Sequence, residues 1–322
     1  MNRCVLLLLL LWTANAFAEE GAQRLIVVVG APGSAEFEPQ FKAWADRWEA
    51  AAKRSQASFL RIEEAAGDRE PKEQLREALK QSAEKQSQPV WLILIGHGTF
   101  DGKTARFNLR GPDVSTAELK EMLLPITAPL AVINCSSSSG PFLAELAAPQ
   151  RVVITAAQSG HEYNFAHFGD YLSAAISDPA ADLDKEEQTS LLEAYLLASS
   201  RLREFYKKEG RLATEHALLD DNGDKLGTPA DWFAGLRVVK KSKAGGAADG
   251  NLARQLVLLR SPREEQLPPA IREQRDALER QLAELREQKE KLPAAEYFAQ
   301  LETLLLQIAK LSESQERSPA SK

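Results

Sequence analysis

The chain has 322 residues, of which 44% are hydrophobic and 27% charged, and its formal net charge is −6. This composition is that of an ordinary soluble protein, long enough for one large core with an appendage or for two domains. The acidic balance gives no electrostatic reason to expect nucleic-acid binding, and the sequence contains neither a phosphate-binding loop motif nor a metal-ligand cluster.

The first 18 residues have the pattern of a secretory signal peptide. Arg3 precedes an apolar stretch over residues 5–12, and Ala16-Phe17-Ala18 supplies a small-x-small cleavage signal. The stretch is too short for a stable membrane span, although an uncleaved anchor is the alternative. We therefore expect export, to a bacterial periplasm, with no membrane span after cleavage.

Cleavage would leave Cys135 as the one cysteine of the mature chain, because the other, Cys4, belongs to the signal peptide. Cys4 lies before the apolar stretch, so the pattern is not that of a lipoprotein. A lone cysteine in an exported protein indicates a reactive thiol or an intermolecular bridge, and the alternative is a small buried hydrophobic side chain.

The next part of the chain alternates apolar runs with amphipathic segments, which is typical of a doubly wound α/β domain with a mostly parallel sheet. Buried strands are predicted over residues 24–30, 58–62, 91–95, 130–134 and 151–155. Helices are predicted over residues 37–54, 70–84, 141–146 and 161–176. A small hairpin with its turn near Asp101-Gly102 and a helix starting at Ser115 or Thr116 separate the third and fourth strands.

Two of the predicted strands are followed by residues that can act in catalysis. One is followed by Gly96-His97-Gly98 and the next by Cys135 and four serines. Because functional residues in parallel sheets lie at the carboxyl ends of the strands, we expect His97 and Cys135 to lie side by side. An imidazole next to a thiol with a pKa of about 8.5 can take its proton, and the glycines would let a substrate backbone approach.

The order of these segments resembles the caspase-like fold, especially the legumain family of cysteine peptidases. The resemblance is carried by Gly96-His97-Gly98, by the strand ending at Cys135, by the segment 152–160 and by Glu193-Ala194-Tyr195 on a later helix. It spans roughly residues 25–224. It implies a caspase-like, mostly parallel sheet flanked by helices and an endopeptidase with peptide or protein substrates.

The resemblance also implies the roles of individual residues. Cys135 would attack the peptide carbonyl, His97 would protonate the leaving amine, and backbone N–H groups near Gly98 and Cys135 would form the oxyanion hole. No metal or organic cofactor is implied. The sequence departs from the family because Asn134 directly precedes Cys135; if Asn134 takes the place of the family's acidic or polar residue, the nucleophile position falls on Ser136. A catalytically inactive pseudopeptidase that binds peptides or proteins is therefore the alternative function.

In legumain-like enzymes the specificity pocket draws on the loops after the first and fifth strands. Here these loops contain Glu36, Glu38, Ser159 and Glu162, which predicts a preference for basic residues. The alternative is that these side chains are solvated residues near helix starts. His161 and His167 are expected to be loop or core residues.

The C-terminal half continues with a predicted helix over residues 188–208 and an apolar return to the core over residues 232–239. Between them, Asp220-Asp221-Asn222-Gly223-Asp224 has the alternating oxygen ligands of a calcium loop, but Lys225 stands where such a loop needs glycine. A hydrogen-bonded turn is therefore expected there. Residues 240–250 predict a flexible loop, and residues 253–259 a last strand.

The last segment differs in composition and predicts an α-helical hairpin. Residues 268–292 and 294–311 carry leucine stripes on either side of Pro293, as in a coiled-coil pair. The hairpin either packs on the core or binds a protein partner, and the tail over residues 312–322 is polar. The predicted organisation is a signal peptide over residues 1–18, a caspase-like domain over residues 19–262 and a helical extension over residues 263–322.

Overall fold

The computed structural model describes residues 23–240, 248–289 and 291–316. The predicted signal peptide, residues 241–247 of the predicted flexible loop and the last six residues of the tail lie outside the described residues.

The strands form one large sheet and two small ones. Those described are β1 (Arg24–Val29), β2 (Ser58–Ile62), β3 (Val90–Ile95), β4 (Gly98–Phe100), β5 (Ala105–Phe107), β6 (Val114–Ser115), β7 (Leu130–Asn134), β8 (Arg151–Thr155), β9 (Leu218–Asp220), β10 (Thr228–Pro229), β11 (Phe233–Ala234) and β12 (Arg237–Val238). The large sheet has the order β10-β9-β8-β7-β3-β1-β2. Its five strands from β8 to β2 are parallel, and β9 and β10 are added antiparallel at one edge.

Helices cover both faces of this sheet. Those described are α1 (Glu38–Arg54), α2 (Pro71–Ala83), α3 (Thr116–Leu123), α4 (Gly140–Leu146), α5 (Phe168–Ala175), α6 (Leu191–Lys208), α7 (Asn251–Gln255), α8 (Pro262–Glu265), α9 (Pro269–Glu287) and α10 (Ala294–Glu316). Helices α1, α5 and α6 pack on one face, and α2, α3 and α4 pack on the other. The prediction of a mostly parallel α/β sheet flanked by helices is therefore confirmed.

Alternation along the central strands divides the core between the two faces. In β3, Trp91, Ile93 and Ile95 belong to the core under α1, α5 and α6, while Leu92 and Leu94 belong to the opposite core. All six residues of β3 are buried, as expected for a central parallel strand covered on both sides. The short sheet β4-β5-β6 follows β3, and its first hairpin turns at Asp101, whose carboxylate accepts the N–H groups of Lys103 and Thr104.

Three local predictions are wrong. Residues 161–167 are not helical: α5 begins only at Phe168, because the Glu215 carboxylate accepts the N–H groups of His167 and Phe168 and ends the preceding loop there. Residues 253–259 do not form a strand but complete α7 and make a single bridge from Val257 to Ser190. Residues 232–239 form the small surface hairpin β11-β12, whose Phe233 and Leu236 reach the core only in part.

The predicted C-terminal helical hairpin is confirmed as α9 and α10. Leu278, Leu282, Leu285 and Tyr297 are its buried apolar side chains. The hairpin contacts the rest of the chain, since Gln255 Nε2 donates to the Asp276 carbonyl at 2.8 Å and Arg280 donates to Gln255 Oε1 at 2.5 Å. The domain division at residue 262 stays a prediction. Among the described residues, every helix is too short or too polar to cross a bilayer.

Candidate functional site

The carboxyl ends of β3 and β7 bring the predicted site residues to one edge of the sheet. The two strands are adjacent and parallel, with Leu94 opposite Asn134. His97 lies in the turn after β3, and Cys135 and the serines follow β7. The sequence therefore predicts the neighbourhood of these residues, and the side-chain geometry determines what they can do.

The His97 imidazole is directed toward the loop that follows β1. Its Nε2 lies 3.0 Å from the carbonyl oxygen of Pro32, and because a carbonyl only accepts, the neutral ring carries its proton on Nε2. The rings of Phe37 and Phe41 lie 5.0 and 5.3 Å from it, edge-on, and burial lowers its pKa. Within residues 23–240, the His97 side chain makes no hydrogen bond to Cys135 or Ser136.

The Cys135 side chain is a core residue and not the surface thiol that an exposed nucleophile would require. It is 1% exposed and belongs to the core under α1, α5 and α6. A Cβ added at Gly169 of α5 would lie 2.8 Å from both Cys135 Cβ and the Trp44 ring, so the thiol is packed tightly below that helix. Burial, and secondarily the nearby Glu215, raises the pKa of Cys135 to about 12. Its assignment as nucleophile stays a prediction that this geometry does not favour.

Ser136, the alternative nucleophile, is fully buried and hydrogen-bonded to Asn134. Its Oγ donates to Asn134 Oδ1 at 2.6 Å, and its N–H donates to the same oxygen at 3.0 Å. An amide oxygen holds a hydroxyl in place but does not take its proton at neutral pH, so Asn134 is not a general base. Ser136 thus stabilises the turn after β7.

The space in front of Gly98 is filled by the protein itself and not left for a substrate backbone. A Cβ built on Gly98 would lie 2.3 Å from the Ser137 carbonyl oxygen and 2.9 Å from Ser136 Oγ. The Gly98 N–H donates to Ser137 Oγ at 3.3 Å, and the Cys135 N–H donates to the Leu94 carbonyl at 2.9 Å. Both donors of the predicted oxyanion hole are therefore engaged, the second within the sheet, where it does not face a ligand.

The four residues of the predicted specificity pocket have partners within the chain. Glu36 accepts from Ser34, Glu38 pairs with Arg110 at 2.8 Å, Ser159 accepts the His161 N–H, and Glu162 accepts from Gln158 and His216. No described contact joins the two glutamates after β1 to the two residues after β8. The geometry does not favour a shared pocket, and the alternative of solvated residues near helix starts is also incomplete, because Glu38 and Glu162 bind residues of other segments. His161 is an exposed loop residue and His167 precedes α5 at the core, as expected.

The carboxylates of two acidic clusters already have partners within the chain. Asp220 accepts the N–H groups of Gly223 and Lys225, so the predicted hydrogen-bonded turn is confirmed. Asp182, Asp184 and Glu193 bring one carboxylate oxygen each within 4.8 Å of one another. Glu193, however, forms the capping box of α6 with Ser190, and Asp184 pairs with Arg254. These carboxylates are accounted for by local structure.

Sequence reasoning missed Glu215, a 3% exposed carboxylate next to the candidate site. It accepts the His167 and Phe168 N–H groups and the Tyr206 hydroxyl, which donates at 2.9 Å. Burial raises its pKa from 4.5 to about 7, against the lowering effect of these hydrogen bonds. Its sequence neighbours Thr214 and His216 give no sign of burial, because the segment is polar and lies between predicted elements.

Glu215 should make the folded protein less stable as the pH rises. Its folded pKa is above its unfolded value, so its protonated form favours folding below about pH 4.5 and this contribution is lost through pH 7. We expect the loss to be about 2 kcal/mol between pH 5 and 7. Urea unfolding at both pH values should show that Glu215→Gln, whose side chain does not titrate, reduces this dependence. The exposed Glu209→Gln is the control, and an unchanged dependence in Glu215→Gln would contradict the prediction.

No family model matches the chain, and no curated protein matches it. Among solved structures, it is similar to the Drosophila initiator caspase Dronc, with 12% identity and a TM-score of 0.42 over 66% of this chain and 83% of that chain. It is also similar to caspase-1 from Spodoptera frugiperda, with 7% identity and a TM-score of 0.41 over 63% and 87%. Chaetomium thermophilum Raptor gives 11% identity and a TM-score of 0.40 over 93% of this chain and 37% of that chain.

Proposed function

We propose that the chain is an exported bacterial relative of the caspase-like and legumain peptidases that binds a peptide or protein segment without cleaving it. The observation that carries the proposal is the burial of Cys135, which is 1% exposed at the position where the sequence predicts a nucleophile. Export follows from the signal-peptide pattern of residues 1–18, and the peptidase ancestry from the resemblance around His97 and Cys135.

The chemistry of the buried thiol supports the absence of turnover. Burial raises the pKa of Cys135 to about 12, so the thiol stays protonated at pH 7, whereas the thiolate is the nucleophilic form. Attack on a peptide carbonyl also needs contact with the substrate, and Cys135 lies beneath Gly169 and Trp44. Activity would require the chain after β7 to move out of the core.

Two surfaces support the binding part of the proposal. The first surface lies at β4, beside the candidate site, where Thr99 is exposed although both backbone groups of Gly98 are bonded to Ser137. Next to it, Phe100 and Tyr163 flank the ring of His161, with centroids 5.3 and 6.0 Å away. Tyr163 is 65% exposed, so this aromatic group is available to a partner.

The second surface is the outward face of α10. Phe298, Leu305 and Leu306 are each between 45% and 58% exposed on this helix. Large apolar side chains grouped on one exposed helix are typical of protein contacts. We assign this face to a protein partner, with the hairpin α9-α10 as the interaction arm.

A peptide library tests the proposal directly. The mature chain, residues 19–322, is incubated with a diverse library under reducing conditions, and products and retained peptides are identified by mass spectrometry. We expect intact peptides to be retained and no cleavage above that of Cys135→Ala, Ser136→Ala and His97→Ala, because neither candidate nucleophile is accessible.

The variants separate the ways in which this proposal can fail. Cleavage lost in Cys135→Ala and His97→Ala but kept in Ser136→Ala would establish the cysteine dyad instead. Cleavage lost in Ser136→Ala but kept in Cys135→Ala would place the nucleophile at Ser136. If the library gives no cleavage products and no retained peptide, binding of a peptide at this surface is contradicted.

A further inference from the structure

A cavity lies at the opposite end of the sheet from the candidate site. It has a volume of about 390 Å³ and is lined on one side by Gln23, Pro89, Pro129 and Gln150, which directly precede β1, β3, β7 and β8. Its other side is formed by residues of α7, α8 and α9 and the segment that connects them. We call it the basal cavity. Its volume is in the range of small-molecule sites.

Arginines dominate the charged lining of the basal cavity. Arg260, Arg272, Arg275 and Arg280 line it, together with three carboxylates. Two of the carboxylates share one arginine as an ion-pair partner, since Arg275 pairs with Glu264 at 2.5 Å and with Asp276 at 3.0 Å, which leaves three other arginines. The third carboxylate, Glu273, is exposed on α9. The inner part of the cavity therefore has an excess of positive charge.

Arg260 differs from the other three arginines. Arg272 donates to the carbonyl oxygens of Glu264 and Leu267, and Arg280 donates to Gln255. Within the described part of the chain, Arg260 has no hydrogen bond and no ion pair, although the carboxylates of Glu264 and Asp276 act on it electrostatically.

The surroundings of Arg260 are unfavourable for its charge. The side chain is half-buried, and burial, together with the neighbouring positive charge of Arg272, lowers its pKa. A guanidinium has five N–H donors in a planar fork, which matches a carboxylate or phosphate group. A half-buried guanidinium without a partner, facing a cavity, is a donor group suited to an anion from outside the chain.

Part of the remaining lining is apolar. Leu252, Leu256 and Val257 contribute side chains from α7 and the residues after it, beside the two prolines that precede β3 and β7. A ligand that fills the cavity therefore contacts arginines at one part of its surface and aliphatic groups at another. We propose that the basal cavity binds a small organic anion, with its carboxylate or phosphate group on Arg260 and a short apolar body against Leu256 and Val257.

Binding of hexanoate and hexyl phosphate to the mature chain tests this proposal by isothermal titration calorimetry at low ionic strength. We expect saturable binding of at least one of these two anions and no binding of hexyltrimethylammonium. The relative affinities of the two anions show whether the cavity prefers a carboxylate or a phosphate group. Affinity should fall at least tenfold in Arg260→Gln and be retained in Arg263→Gln, an exposed arginine of α8 that does not line the cavity.

The experiment gives a result even if Arg260→Gln fails to fold. Binding by the wild type without any preference for anions over the hexyl cation would overturn the proposal, as would the absence of saturable binding. A folded Arg260→Gln with wild-type affinity would also overturn it. Arg260→Lys, which keeps the charge but not the fork, is expected to bind with intermediate affinity.

Discussion

Trp91→Ala is expected to lower the free energy of unfolding by about 4 kcal/mol or more, the largest effect we predict. Truncating a buried tryptophan typically costs about 3–5 kcal/mol, and Trp91 is fully buried in the central strand β3. The indole N–H also donates to Gln23 Oε1 at 2.8 Å, so its removal leaves a buried acceptor unpaired.

The same indole connects the sheet to the C-terminal segment. Gln23 Nε2 donates to the carbonyls of Val257 and Leu258, at 3.0 and 3.2 Å, so Trp91 fixes the residue that holds this segment. Urea unfolding followed by circular dichroism measures the loss. Trp91→Phe, which keeps an aromatic ring but no donor, should lose less than Trp91→Ala. A loss below about 1 kcal/mol in Trp91→Ala would contradict the packing described for β3.

Gly98→Ala is expected to destabilise the protein by about 3 kcal/mol, the upper end of the usual range for overpacking. The added methyl group would lie 2.3 Å from the Ser137 carbonyl oxygen, and a backbone atom does not move aside as a flexible side chain does. The effect comes from this contact and not from the dihedral angle, since Gly98 is not among the glycines with positive φ.

Thermal and urea unfolding of Gly98→Ala beside Thr99→Ala provide the comparison. Thr99 is the exposed neighbour in β4, and its truncation should change stability by no more than about 0.5 kcal/mol. Equal stability of Gly98→Ala and the wild type would mean that the space in front of Gly98 is open, as the peptidase hypothesis requires. The stability of Gly98→Ala therefore shows whether the space in front of Gly98 is filled by the protein or open to a substrate.

The parallel sheet was predictable because its strands are short apolar runs between turn residues. The predicted bounds of β2, β7 and β8 coincide with those observed. The predicted helix start at Ser115 or Thr116 is also confirmed, since α3 begins at Thr116 and Ser115 is its N-cap in a capping box with Glu118. Such signals are local. Each lies within one element and does not depend on what packs against it.

The incorrect helix prediction over residues 161–167 is explained by a contact between distant segments. The segment is rich in aromatic residues, which suggested a helix, yet the Glu215 carboxylate accepts the N–H groups of His167 and Phe168, which lie 48 and 47 positions away and which a longer α5 would use internally. Cys135 is a different case, because a local signal was present: alternation places it on the same face as Ala131 and Ile133, which is the core under α1. Proximity to His97 was predicted from strand order, but the direction of the side chain follows from this alternation.

The proposal that Cys135 is not a nucleophile rests on its burial in the folded chain. It is tested most directly by the rate at which iodoacetamide labels Cys135 in the folded mature chain, followed by mass spectrometry. A buried thiol reacts only through opening of the structure, so we expect labelling at least about a thousandfold slower than in the chain unfolded in urea at the same pH. Labelling of the folded chain as fast as, or faster than, that of the unfolded chain would show an accessible, activated thiol and would contradict the account.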